Sequence, residues 1–437
     1  MSDDFSTIKT DIESTYDCMG ITCYDVGAYG SNWDICSDSS TEATVYSYTT
    51  PAPTCSPAPT TASPAPTAHS YRRRYLAETY CEPTPQPTPV PGPTTTATSS
   101  SVIAGYAPVS DVTEHANIDL DVAAMDAHAG NFNFTGVKWW YKNGGNSIKG
   151  SGYRTVEGMA QKDYCAAGET EGCMLANYMG GMGSDLLISA SLDMQQYTSA
   201  TLDTATVLTD VEVDQISIKL SAYSAVWLYS LHELYSAVGK CDESASGDDD
   251  SYLSSGAPHA WDEGWAFWAG SEQTEGATDG SLSYTLAEKR CGDFTTCGSA
   301  GDESSGTALV NSNLLALYNT GLDELMSGDC DGANATKSVI TSQMTIPLVQ
   351  GTLKYLWNKD IKGGNSSGAT SGRGKAASEA YAFAWSLFPM VYKCDTTVAT
   401  DMITYVRALT VSALSSLSPV AFCSPRIKGR VGHDHER

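Results

Sequence analysis

A run of proline constrains this chain more than any other feature. Twelve of its 18 prolines fall between Pro51 and Pro93, in the stretches TTPAPTCSPAPTTASPAPT and CEPTPQPTPVPGPTTTATSS. Proline lacks the backbone donor and fixes φ, so neither a helix interior nor a central strand can be made from such a tract, and extended polyproline II is what remains. The Ser and Thr packed between the prolines make it a target for O-glycosylation. Residues 49–100 are therefore read as a stalk or linker, and any packed core must come from the rest. Before it lies a small segment, 1–48, with Cys18, Cys23 and Cys36; after it come a body, 101–423, and a polar basic tail, 424–437. Arg72-Arg73-Arg74 interrupts the stalk as either a processing site or an exposed tribasic turn.

The body shows helical period and no run of strand alternation. Its glycines and polar stretches divide it into candidate helices at 111–129, 185–209, 214–239, 257–271, 308–327, 337–358, 375–392 and 396–416. In 214–239, Ile216, Leu220, Tyr223, Trp227, Leu231, Leu234 and Val238 form one stripe, which Gly239 is expected to end. The expected fold is an all-α bundle pinned by disulfides. The chain has 13 cysteines with no CxxC pair and no zinc-finger spacing, which points to an oxidising compartment outside the cytosol. Eight lie in the body: Cys165, Cys173, Cys241, Cys291, Cys297, Cys330, Cys394 and Cys423. Were these to pair among themselves, the five N-terminal cysteines could not all pair, leaving at least one free or for another chain, a second copy or a cell-surface partner. Sequons at Asn133, Asn334 and Asn365 agree with export, and no apolar run is long enough to span a bilayer. Met1-Ser-Asp-Asp does not open a signal peptide, so a leader is expected to have been removed. A formal net charge of −26 repels nucleic acid and anionic membranes and attracts cations.

Chemistry concentrates in APHAWDEGWAFWAGS, 257–271. Pro258 suits a first helical turn. Helical spacing puts His259, Asp262 and Glu263 on one face and Trp261, Trp265 and Trp268 on the other. An imidazole beside carboxylates suits a hard cation such as Fe(III); acidic residues in a first turn also simply favour the helix dipole. Upstream, His232 and Glu233 in LHELY fail the zinc-protease pattern because position 236 is Ser. They reach such a site only if their helix is surrounded. In 111–128, His115, Asp119 and Asp126 share a ridge, read first as a solvated acidic face, with His115 and Asp119 kept as candidate ligands. An internal echo aligns LHELY with LKYLW, 353–357, and HAWDEGWAFWAG with KAASEAYAFAWS, 375–386. It suggests a degenerate duplicated helix pair whose second copy keeps Glu379 and replaces both histidines by lysine.

LHELY, a Cys-containing loop and HAWDEGWAFWAGS together resemble the Fe-assimilating protein family of algae, secreted proteins induced by low iron or high CO2. The opening EHANIDLDVAAMDAH is similar to the start of that family's domain. The resemblance covers about 101–423 and implies extracellular or periplasmic iron binding that assists uptake at the cell surface, with no catalytic step. It points to His232, Glu233, His259, Asp262, Glu263 and, through the echo, Glu379. Two rivals stand beside it. One is a glycosylated structural subunit of a coat or filament, suggested by the stalk and the odd N-terminal cysteine. The other is a di-metal oxidase, whose Glu-x-x-His pairs do not occur in the candidate helices. No GxSxG, phosphate loop or Cys-His nucleophile setting offers another chemistry.

Overall fold

The computed structural model describes residues 5–29, 102–166, 168–179, 183–194, 208–245, 256–360 and 370–409. The stalk, Asn365, Cys423 and the basic tail lie outside them. Three short helices open the chain: α1 (Phe5–Glu13), α2 (Tyr16–Met19) and α3 (Cys23–Val26). The body begins with α4 (Thr113–Ala116), α5 (Ile118–Ala129) and α6 (Phe134–Asn143). A hairpin follows, pairing β1 (Ile148–Lys149) with β2 (Gly152–Tyr153) antiparallel, then α7 (Val156–Ala160), α8 (Thr170–Tyr178) and α9 (Gly183–Met194). Long helices build the rest: α10 (Asp210–Leu220), α11 (Trp227–Ala245), α12 (Ala257–Ala269), α13 (Ser283–Phe294), α14 (Leu309–Ser327), α15 (Cys330–Asp360), α16 (Thr370–Cys394) and α17 (Thr396–Leu409). The fold is all-α and disulfide-pinned, as its period implied.

The stripe at 214–239 becomes α10 and α11, joined without a break by a π-helical turn, Ser221–Val226. Gly239 does not end it. One mid-helix glycine costs only about 1 kcal/mol, and the helix runs on to Cys241, which is bonded to Cys330 at the start of α15. Helix α15 also begins before the expected 337, because Asp329 accepts from the Gly332 N–H at 2.9 Å and caps the first turn. Helices α1, α2, α3, α6, α7, α8 and α13 fall outside the expected segments.

The largest correction concerns the N-terminal segment. Cys18 is bonded to Cys394 across 376 residues, so the body's cysteines do not all pair among themselves. Cys165–Cys173 and Cys291–Cys297 close short loops, and Cys23 is also disulfide-bonded. Phe5, Ile8, Ile12, Tyr16, Met19, Ile21 and Val26 are buried in the same core as the body, with α1 against α15 and α17. A nonpolar face of that size must be covered, and the body covers it.

The two echoed helix pairs are real neighbours: α11 packs along α12, and α15 along α16. Trp261, Trp265 and Trp268 are all buried, and each indole N–H is satisfied, by Tyr318 O, Ile103 O and Asn311 Oδ1 respectively. Gly321 on α14 lets Trp261 lie against helix backbone, since a Cβ there would fall 2.0 Å from the ring. This tryptophan face fixes the rotation of α12 and so decides which way its polar residues point.

Candidate metal centre

With its tryptophans inward, α12 turns Glu263 toward α4 and α11. Glu263 Oε1 lies 2.8 Å from His115 Nε2 and 2.8 Å from His259 Nε2. The imidazoles meet edge-on with centroids 5.3 Å apart. One ligand atom from each of His115, His259 and Glu263 falls within 4.8 Å of the others, a spacing one metal ion can bridge. His115, expected on a solvated ridge, is instead buried. It starts the site because α4 ends against α12.

Glu233 on α11 completes the acidic side. It is buried and shares a hydrogen bond with Glu263. Burial pushes its carboxyl up to about 8, with the neighbouring Glu263 charge adding to the rise. Burial would also raise Glu263, but hydrogen bonds and charge from His115 and His259 outweigh it and hold Glu263 well below the usual range. One proton thus rests on Glu233 and bonds it to ionised Glu263. The hydrogen bond to Glu263 raises His259, burial opposing it. Tyr229, one turn before Glu233, is raised by burial and by both carboxylates.

His232 lies beside the centre. Its Nδ1 pairs with Glu169 at the start of α8, and its Nε2 is 4.0 Å from Glu233 Oε1. Asp262 shares the helix turn but faces elsewhere. It accepts from Tyr106 Oη at 2.7 Å and from the Ser110 N–H and Oγ at 2.9 and 2.6 Å. Both its oxygens are used, and the same Ser110 hydroxyl meets His259 Nδ1 at 3.0 Å. Asp262 therefore orients His259 through Ser110 and does not face the metal side. Asp119 is likewise buried, accepting from Ser271 Oγ and the Glu272 N–H at 2.8 and 2.9 Å, and burial raises it to about 6. It caps the turn after α12, where Gly270 has φ +87° and a Cβ would strike Asp119 at 2.6 Å.

Glu379 occupies the echoed position on α16 and has different company. Burial raises it, while Lys219, Lys375, a Tyr355 hydrogen bond and Arg290 act to lower it. In the sequence alignment of the two helix pairs, Tyr355 stands opposite Glu233 and Lys354 opposite His232. Built-in cations surround the second carboxylate.

Arg154 escaped the sequence reading. Its guanidinium contacts His115 Nε2 and the Ile148 carbonyl, setting the hairpin against the centre. It and Glu169 lie in connecting segments with no periodicity to mark them. Tyr229 was legible, sitting four residues before Glu233 on one helix face. Of the sequons, Asn133 is exposed and caps α6 by accepting from the Gly136 N–H at 3.1 Å, and Asn334 is exposed on α15.

A profile of low iron-inducible periplasmic proteins, Fea1, matches residues 90–421. The chain belongs to that family. The matched region spans α4 through α17 and so carries every residue of the centre; the N-terminal helices that complete the core lie outside it. No curated protein matches, and neither does any solved structure. No helix among the described residues is long and apolar enough to cross a membrane.

Proposed function

We propose that this Fea1-family protein binds iron outside the cytoplasm, as Fe(III), and assists its assimilation at the cell surface without a catalytic step. The observation that carries this reading is the meeting of His115, His259 and Glu263 at bridging distance, with the Glu233 carboxyl hydrogen-bonded to Glu263. Two imidazoles and two carboxylates form a mixed set with hard oxygens, suited to a strongly charged cation. The proton on Glu233 and the guanidinium of Arg154 balance part of the acidic charge while no metal is bound. A surface of net charge −26 favours cation approach. Induction by low iron, the property named for the family, fits a role in iron capture.

The test is a titration of natively purified full-length protein with Fe(III) from a competing chelate, alongside Fe(II) and Zn(II). Fe(III) should bind most tightly, and Glu263→Gln and His115→Ala should each abolish high-affinity binding while leaving the helical circular dichroism unchanged. Preference for Zn(II) would replace iron by a His-His-Glu zinc site. Unaltered Fe(III) binding in both variants would refute this centre.

A further inference from the structure

A cleft of about 210 Å³ opens on the far side of α11 from the metal centre, where α8, α15 and the end of α16 meet the N-terminal segment. Its walls carry Glu171, Tyr235, Lys337, Ser338, Lys393 and the Cys18–Cys394 disulfide. The charges do not cancel. Glu171 is buried and fully used: one oxygen accepts from Lys393 Nζ at 3.1 Å, the other from Tyr235 Oη at 2.8 Å. Lys337 is left over. Its residue is 9% exposed, and among the described residues no carboxylate lies within ion-pair distance of it. The ammonium rests 3.9 Å from the centroid of the Tyr235 ring. The stem of Lys337 is buried while its ammonium faces the cleft with no anionic partner. Burial lowers the pKa of Lys337; Glu171 opposes that and Lys393 adds to it. An anion in the cleft would give Lys337 the partner it lacks, with the Glu171-paired ammonium of Lys393 beside it.

We infer that this cleft is a binding site for a small oxyanion, a carboxylate or phosphate held by Lys337 and Lys393. The cleft is small and lined mainly by polar groups, which suits a small acid or an inorganic ion. Both ammoniums can donate to it. The Thr341 hydroxyl, already donating to the Lys337 carbonyl at 2.9 Å, has its lone pairs free to accept from an acid O–H. In a chain of net charge −26, a cleft that leaves one ammonium uncompensated selects anions against the general field.

The experiment uses metal-free full-length protein and isothermal titration at constant ionic strength in chloride, with sodium phosphate, acetate and succinate as separate probes. At least one should bind saturably, with Kd below about 1 mM. Phosphate binding tighter than both carboxylates would mark an inorganic ion, and the reverse order an organic acid. Lys337→Met keeps the apolar stem and should weaken binding at least about tenfold, the scale of one charge-assisted hydrogen bond, while Lys337→Arg retains most of it. Should Lys337→Met fail to fold, Ser338→Glu decides. It changes an exposed helical position on the cleft wall, puts a negative charge where the anion would sit, and should abolish binding. Glu263→Gln should bind the anion as the unmodified chain does. The proposal is overturned if no probe binds saturably, if Ser338→Glu binds normally, or if Glu263→Gln loses the anion and so moves it to the metal centre.

Discussion

Replacing Glu233 by Gln should change how iron affinity depends on pH, and by an amount the geometry sets. Glu233 titrates at about 8 in the metal-free protein because it is buried against ionised Glu263. At pH 7 it is therefore about 90% protonated, and a metal that takes its oxygen must displace that proton. The affinity should fall toward tenfold per pH unit below 8, several hundredfold by pH 5, or about 4 kcal/mol. Gln can still donate to Glu263 but carries no titrating proton. The variant should bind more weakly at pH 8, and the gap should narrow steadily as pH falls. The assay is competition against a chelate of known stability, run on both proteins at each pH. Hydrolysis of free Fe(III) then cancels from the comparison. His259, raised by Glu263, adds a further proton in both proteins at the acidic end. Parallel curves from pH 8 to 5 would show that Glu233 exchanges no proton for metal, and the reasoning about the carboxyl pair would fail.

Without metal, the folded protein should lose stability as pH rises from about 4.5 to 8. Glu233 keeps its proton when folded and loses it when unfolded across that window, worth on the order of 4 kcal/mol, and raised His259 works in the same sense. Chemical denaturation at pH 5 and 8 should show the drop, reduced in Glu233→Gln. Gly321→Ala should lower stability by about 2–3 kcal/mol, read from the denaturation midpoint, since its Cβ would fall 2.0 Å from Trp261. A chain lacking residues 1–29 should expose the face covered by Phe5, Ile8 and Ile12, and aggregate on native sizing instead of behaving as an independent body. Glu379→Gln should leave Fe(III) affinity and a stoichiometry of one iron per chain unchanged by titration, because Lys219, Lys375 and Arg290 already attend that carboxylate.

What the chain wrote locally could be read from it directly. The period of Ile216 through Val238, Pro258 in the first turn of α12 and the inward tryptophans follow from neighbours a few residues apart, which one helix places by itself. The echo between 231–235 and 353–357 was also legible, since it lies in the order of the residues themselves. Which polar groups converge was decided only by packing. Asp262 shares its turn with Glu263, yet Tyr106 and Ser110 claim both its oxygens from more than 150 residues away. His115 was read on a solvated ridge because one helix over 111–129 would align it with Asp119 and Asp126; its helix is instead a single turn, and contact with α12 buries it beside Glu263. The placement of Arg154 and Glu169 and the Cys18–Cys394 bond arise in the same way, from the meeting of segments far apart in the chain. A helix fixes directions within itself through its own hydrogen bonds, while the meeting of distant segments depends on how their buried faces fit, and that fit exists only once the chain has closed around its core.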